Sequence, residues 1–153
     1  MLVTIPFISL GKRVKALLPL TKKEKKMGYF YIGYNFTNKN EGYCKIGETG
    51  RANLFSRVKE LEHIENFSLL EYIYLPNATK AQRLFVESYV RRKIEQNDHI
   101  FFQHCKLDHF YFNLINGDML TTFKIKALAY ALEACELAKI KYTLNATIKH
   151  IEG

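Results

Sequence analysis

Within residues 28–57, GYFYIGYNFTNKNEGYCKIGETGRANLFSR, the phenol of Tyr31, the amine of Lys45 and the guanidinium of Arg57 have types and spacing that suit phosphate chemistry. A guanidinium grips a phosphate with two parallel N–H donors, whereas an ammonium acts as a point charge. A fourth group, the carboxylate of Glu87, falls three residues after Leu84 and seven before Ile94, near the apolar side of a helical stretch. A carboxylate there is costly unless it is paired or binds a metal. The pairing option is Arg91 at i+4, in the run Arg91, Arg92, Lys93. Other chemistries lack their signatures. Gly42, Gly47 and Gly50 form neither a phosphate-cradling loop nor a dinucleotide fingerprint, and no Ser/His/Asp or Cys/His pattern has its local context. His99, His104, Cys105, Asp108 and His109 invite a metal reading, but their spacings match no common zinc pattern, so packing, solvent exposure or nucleic-acid contact is expected of them.

These groups need elements to position them. Tyr29 to Tyr34 is aromatic and β-branched, Asn35 to Gly42 is turn-forming, and Tyr43 to Ile46 is a second short strand ending at Gly47, so a β-hairpin is expected. Asn53 is an N-cap for a helix to about His63 whose apolar side is Leu54, Phe55, Val58 and Leu61. Arg57 lies beside that side near the helix start, aimed back at the end of the preceding strand. Ser68 to Leu75 reads as a third strand, stopped by Pro76. Thr79 and Gln82 form a capping box for a helix to about Gln96. After a turn at Asn116, Gly117 and Asp118, a helix runs from 119 to about 139, with Leu120, Phe123, Ala127, Tyr130, Ala134 and Leu137 as its docking face.

A chain of 153 residues suits one compact domain with appendages. Of its formal charge of +8, residues 1–27 carry a surplus of six, from seven Lys/Arg against one Glu, so the basic character belongs to an N-terminal arm. Lys12, Arg13, Lys15, Lys22 and Lys23 in that arm suit a polyanion, because neutralising phosphates releases counterions. The apolar run at residues 1–20 is broken by Lys12, Arg13 and Lys15 and has no charged stretch before it, so it does not read as a signal peptide. No stretch reads as a membrane span. Cys44, Cys105 and Cys135 are odd in number and far apart, which fits a reducing, cytoplasmic setting with neither a disulfide frame nor a zinc knuckle.

Taken together, these residues resemble the GIY-YIG nuclease superfamily. Tyr29-Phe30-Tyr31 resembles its first tripeptide, with Asn35 four residues on where the family often has Asn. Lys45-Ile46-Gly47 resembles the second, in the form of a phage-type subgroup in which Lys replaces Tyr. Arg57 matches the helix arginine and Glu87 the metal-binding glutamate. Two departures stand out: Tyr29 occupies the place of the first glycine, and Glu48 follows Gly47 where small residues or His are commoner. The resemblance covers about residues 28–113. It implies a metal-dependent DNA endonuclease using Tyr31, Lys45, Arg57 and Glu87, with Glu87 holding Mg²⁺ or, in its place, Mn²⁺. Tyr31 would be the general base, Lys45 and Arg57 would lower its pKa from about 10, and Arg57 would hold the scissile phosphate. Asn35, the arm, Arg91 and Arg92 would contact nucleic acid. The expected fold is α+β, a small three-stranded antiparallel sheet flanked by helices. Its expected division is a basic arm at 1–27, a nuclease core at 28–113 and a C-terminal helical extension at 114–153 packed on the core. No membrane or small-molecule cofactor is expected, and cutting both strands from one small site favours a homodimer through the 119–139 helix. The rival expectation is a catalytically inactive nucleic-acid-binding module on the same fold.

Overall fold

The computed structural model describes residues 26–38, 41–99, 102–106, 109–113 and 118–144. Its strands are β1 (Gly28–Asn38), β2 (Glu41–Thr49), β3 (Ser68–Leu75), β4 (Gln103–Lys106), β5 (His109–Asn113) and the two-residue β6 (Thr143–Leu144). Its helices are α1 (Leu54–Glu65), α2 (Lys80–Asn97) and α3 (Met119–Ala138). The fold is α+β: an open antiparallel sheet of five full strands, extended by β6, in the order β4-β5-β2-β1-β3-β6, with three helices.

Side chains alternate across central β1, and the alternation assigns the helices to opposite layers. Phe30 and Ile32 of β1, with Cys44 and Ile46 of β2 and Ile73 and Leu75 of β3, join Val86, Val90 and Ile94 of α2 and Phe123, Ala127, Ala131 and Ala134 of α3 in one core. The alanines of α3 let it approach closely, and each large side chain buried here contributes about 1.5–3 kcal/mol. Tyr29 and Tyr31 point to the other face and form a smaller core with Leu54 and Leu61 of α1, Phe67 and Tyr72.

The sheet is wider than the three strands read from the sequence. In the segment HFYFN, Phe110 enters the large core while His109 faces away, and that alternation makes β5, which pairs with Glu41–Lys45 of β2. The hairpin strands are also longer than expected. Pairing continues to Asn38 opposite Glu41, past an irregularity after Phe36, so most of the supposed turn is strand. Asn53 caps α1 as expected, accepting from the Phe55 N–H, and a left-handed Asn66 ends that helix at Glu65. The Thr79–Gln82 capping box is formed. Asp118 precedes α3 but makes no side-chain cap bond. The buried stripe of α3 is rotated from the expected one: Ala131 and Cys135 are buried, whereas Leu137 in the last turn is 64% exposed.

Cys44 and Cys135 are free and buried. Among the described residues no helix is long and apolar enough to cross a membrane.

Candidate functional site

Tyr31 of β1 lies opposite Gly47 of β2, and its ring covers that glycine. A Cβ at Gly47 would stand 2.4 Å from the phenol oxygen, so only glycine lets the ring lie there. Phe67 packs edge-on against the ring at 5.7 Å, which fixes its tilt. Gly33 plays the same part for Phe67, whose ring would meet a Cβ there at 2.1 Å.

Arg57, on the first turns of α1, hydrogen-bonds with the Tyr31 side chain. Burial works against its charge, but contacts with Tyr31 and Glu60 more than restore it and raise its pKa above the ordinary value. Tyr29, two residues before Tyr31 on the same face, is placed differently. Its hydroxyl donates to the Ala52 carbonyl at 3.2 Å, and burial, then its neighbours Tyr74 and Tyr72, push its pKa up. Two phenols thus share one face, and the described contacts place a cation on Tyr31.

Beside this pair, Glu60 accepts from Arg57 and, with both oxygens at 3.0 Å, from Arg51. The two guanidinium groups hold its carboxyl below the ordinary value, Arg51 having the larger effect.

Lys45 lies on the same face, diagonal to Tyr31 across the hairpin. Its ammonium donates to Glu65 Oε2 at 3.1 Å, while His109 Nε2 sits 2.9 Å from Glu65 Oε1. Burial raises the Glu65 pKa, but the hydrogen bonds from His109 and Lys45 outweigh it and leave the carboxyl below its usual range. Glu65 is two helical turns from Arg57, about 12 Å along α1. The hairpin therefore carries the Tyr31 phenol with the Arg57 guanidinium and, diagonal to them on the same face, Lys45 in a Lys–Glu–His cluster. Asn35 lies at that cluster, its amide donating to the Glu65 carbonyl at 3.0 Å, which satisfies one orphan acceptor of the α1 terminus.

Glu87 stands on α2, in the layer across the sheet from α1, and Arg91 Nη1 lies 3.6 Å from its carboxylate, the i+4 pairing read from the sequence. Arg92 is exposed. Lys12, Arg13, Lys15, Lys22 and Lys23 lie outside the described residues. Among the described residues no three His, Cys, Asp or Glu side chains group to hold a metal. A divalent cation at Glu87 would thus find fewer than three such protein ligands. That donor set fits Mg²⁺ only in the manner in which Mg²⁺ keeps its waters and takes substrate phosphate oxygens.

Arg83 and Glu48, which no motif marks, form a further pair beside the site. Arg83 of α2 donates from Nε to Glu48 Oε1 at 2.7 Å and from Nη1 to the carbonyls of Met27 and Ala78 at 2.8 and 3.0 Å. A signal existed: Arg83 falls in register with Val86, Val90 and Ile94, and an arginine on a buried stripe requires a buried partner. The pair also accounts for the unexpected Glu48. Gly47 faces α1 and Glu48 faces α2, so the Glu48 carboxylate stays off the Tyr31 face.

Compared with models of known protein families, with curated proteins and with solved structures, the chain finds no match.

Proposed function

We propose that this protein is a metal-dependent endonuclease that hydrolyses DNA phosphodiester bonds, built on a GIY-YIG-like core. The observation that carries the reading is the Tyr31 phenol laid across Gly47 in hydrogen-bond contact with Arg57. A phenol is too weakly acidic to act as a base at neutral pH unless a cation favours its phenolate, and Arg57 stands where that cation is needed. Tyr31 takes a proton from the attacking water, and Arg57 neutralises charge that builds on the phosphate oxygens. Phe67 and Gly47 hold the phenol in one orientation, so little reorganisation accompanies the reaction.

β5 reaches along β2 only to Lys45, which leaves the Ile46–Thr49 edge without a second partner strand among the described residues. On this reading the scissile phosphate is held at that open edge, between Arg57 on one layer and Glu87 on the other. Glu87 is one helical turn beyond Arg83, whose guanidinium already reaches Glu48 on β2. A divalent cation bound there would polarise the phosphate and stabilise the leaving oxygen.

A second reading, a nucleic-acid-binding module without activity, is favoured by one observation: the Lys45 ammonium and the Glu87 carboxylate both have ion-pair partners within the protein. One assay separates the two. Plasmid and single-stranded DNA are incubated with Mg²⁺ or Mn²⁺ and wild type, Arg57→Ala or Glu87→Ala. The nuclease reading expects cutting by the wild type alone. Binding without cutting by the wild type would select the module.

A further inference from the structure

Arg51 and Glu60 were not singled out by any motif, yet they complete the surroundings of Arg57. Arg51 follows β2, and its backbone N–H donates to Thr49 Oγ1 at 3.2 Å, which anchors the start of its side chain. Its Nη2 donates to both Glu60 oxygens at 3.0 Å, and Arg57 Nη1 donates to Oε1 as well. Two cations therefore share one anion, leaving a surplus positive charge beside Tyr31. All three side chains are open to solvent, at 42% for Arg51, 30% for Arg57 and 39% for Glu60.

We infer that Glu60 is a resident stand-in for a substrate phosphodiester, and that Arg51 is the second guanidinium of the phosphate clamp. This rests on the nuclease reading of the Tyr31–Arg57 pair and adds to it a binding residue and a group that must be displaced. A carboxylate and a phosphodiester present a guanidinium fork with the same pair of oxygens. An exposed ion pair contributes little, so Glu60 is a weak competitor for its two arginines. A phosphate taking its place keeps the charge-assisted bonds to both arginines and also releases counterions from the strand. Arg57, held from behind by Tyr31, stays in position during the exchange.

The test is binding of a short DNA duplex at fixed low salt, without divalent cations, so that affinity is read apart from cleavage. Glu60→Gln keeps the shape of the side chain and removes its charge, and should tighten binding about two- to fivefold, the size expected of exposed charge pairs. Glu62→Gln is the control, since Glu62 is an exposed residue of the same helix and removes the same charge. It should leave affinity within the error of the wild type. Arg51→Ala should weaken binding by a similar factor and, when the titration is repeated over a series of salt concentrations, lower the salt slope by about one. Each variant's thermal unfolding is followed to confirm that it is folded. The inference is overturned if Glu60→Gln and Glu62→Gln tighten binding equally, if Glu60→Gln weakens it, or if the wild type does not bind the duplex. A wild type that binds and never cuts removes the nuclease reading and leaves this inference standing. A wild type that cuts while Glu60→Gln binds like Glu62→Gln does the reverse.

Discussion

The two faces of the sheet are built on different principles. Toward α2 and α3 the core is aliphatic and aromatic, with alanines along α3. A buried ion pair, Arg83–Glu48, joins α2 to the end of β2. Toward α1 the core is smaller and half of it is tyrosine, and around it lie Lys45, Glu65 and His109. Taking charged groups out of water costs several kcal/mol each, and their pairing often no more than offsets that. Apolar side chains of similar size would make the α1 face at least as stable. The polar groups of this face add little to stability, and the larger apolar core lies on the opposite face.

The largest effect is expected on the apolar side. Phe123 meets Phe102 and Phe110 with centroids 5.1 and 5.6 Å away, so Phe123→Ala should cost about 3–5 kcal/mol in urea unfolding. A loss below 1 kcal/mol would mean that this face is not the stabilising one. Arg83→Met should cost about 3–5 kcal/mol by leaving Glu48, 13% exposed, without its cation. Adding Glu48→Gln should recover part of that loss, and its failure to do so would place the cost in the Met27 and Ala78 carbonyls. On the other face, Gly47→Ala should cost about 1–3 kcal/mol, because its Cβ would overlap the Tyr31 ring. The smallest effect is a pH dependence. The folded pKa of Glu65 lies below its ordinary value of 4.5, so its contribution is complete above that pH and is lost as pH falls through the folded value. The stability gap between wild type and Glu65→Gln should shrink as the pH falls below about 4.5. A gap that does not change with pH would remove Glu65 from the cohesion of this face.

Local signals were legible where one element carries them whole. The Asn53 cap, the Thr79–Gln82 box, the β3 span and the Glu87–Arg91 spacing each depend on residues within a few positions of one another. β5 was not legible, because HFYFN becomes a strand by pairing with β2, more than sixty residues earlier. The same holds for the site. Tyr31 and Arg57 could be marked by residue type, but the Glu65 link between Lys45 and His109 joins three separate elements. Glu60 was within reach of the sequence, three residues after Arg57 on one helix, and only the position of Arg51 at the end of β2 makes it a shared partner.

The central claim, that the Tyr31–Arg57 pair over Gly47 cuts phosphodiester bonds, is tested most directly by the single-turnover rate of plasmid nicking by Tyr31→Phe beside wild type, with Mg²⁺ and enzyme in excess. Losing one side-chain hydrogen bond costs about 1 kcal/mol of stability, so the variant stays folded. The expected result is a nicking rate lower by about 10²-fold or more, the usual share of a general base. A Tyr31→Phe protein that nicks at the wild-type rate would contradict it.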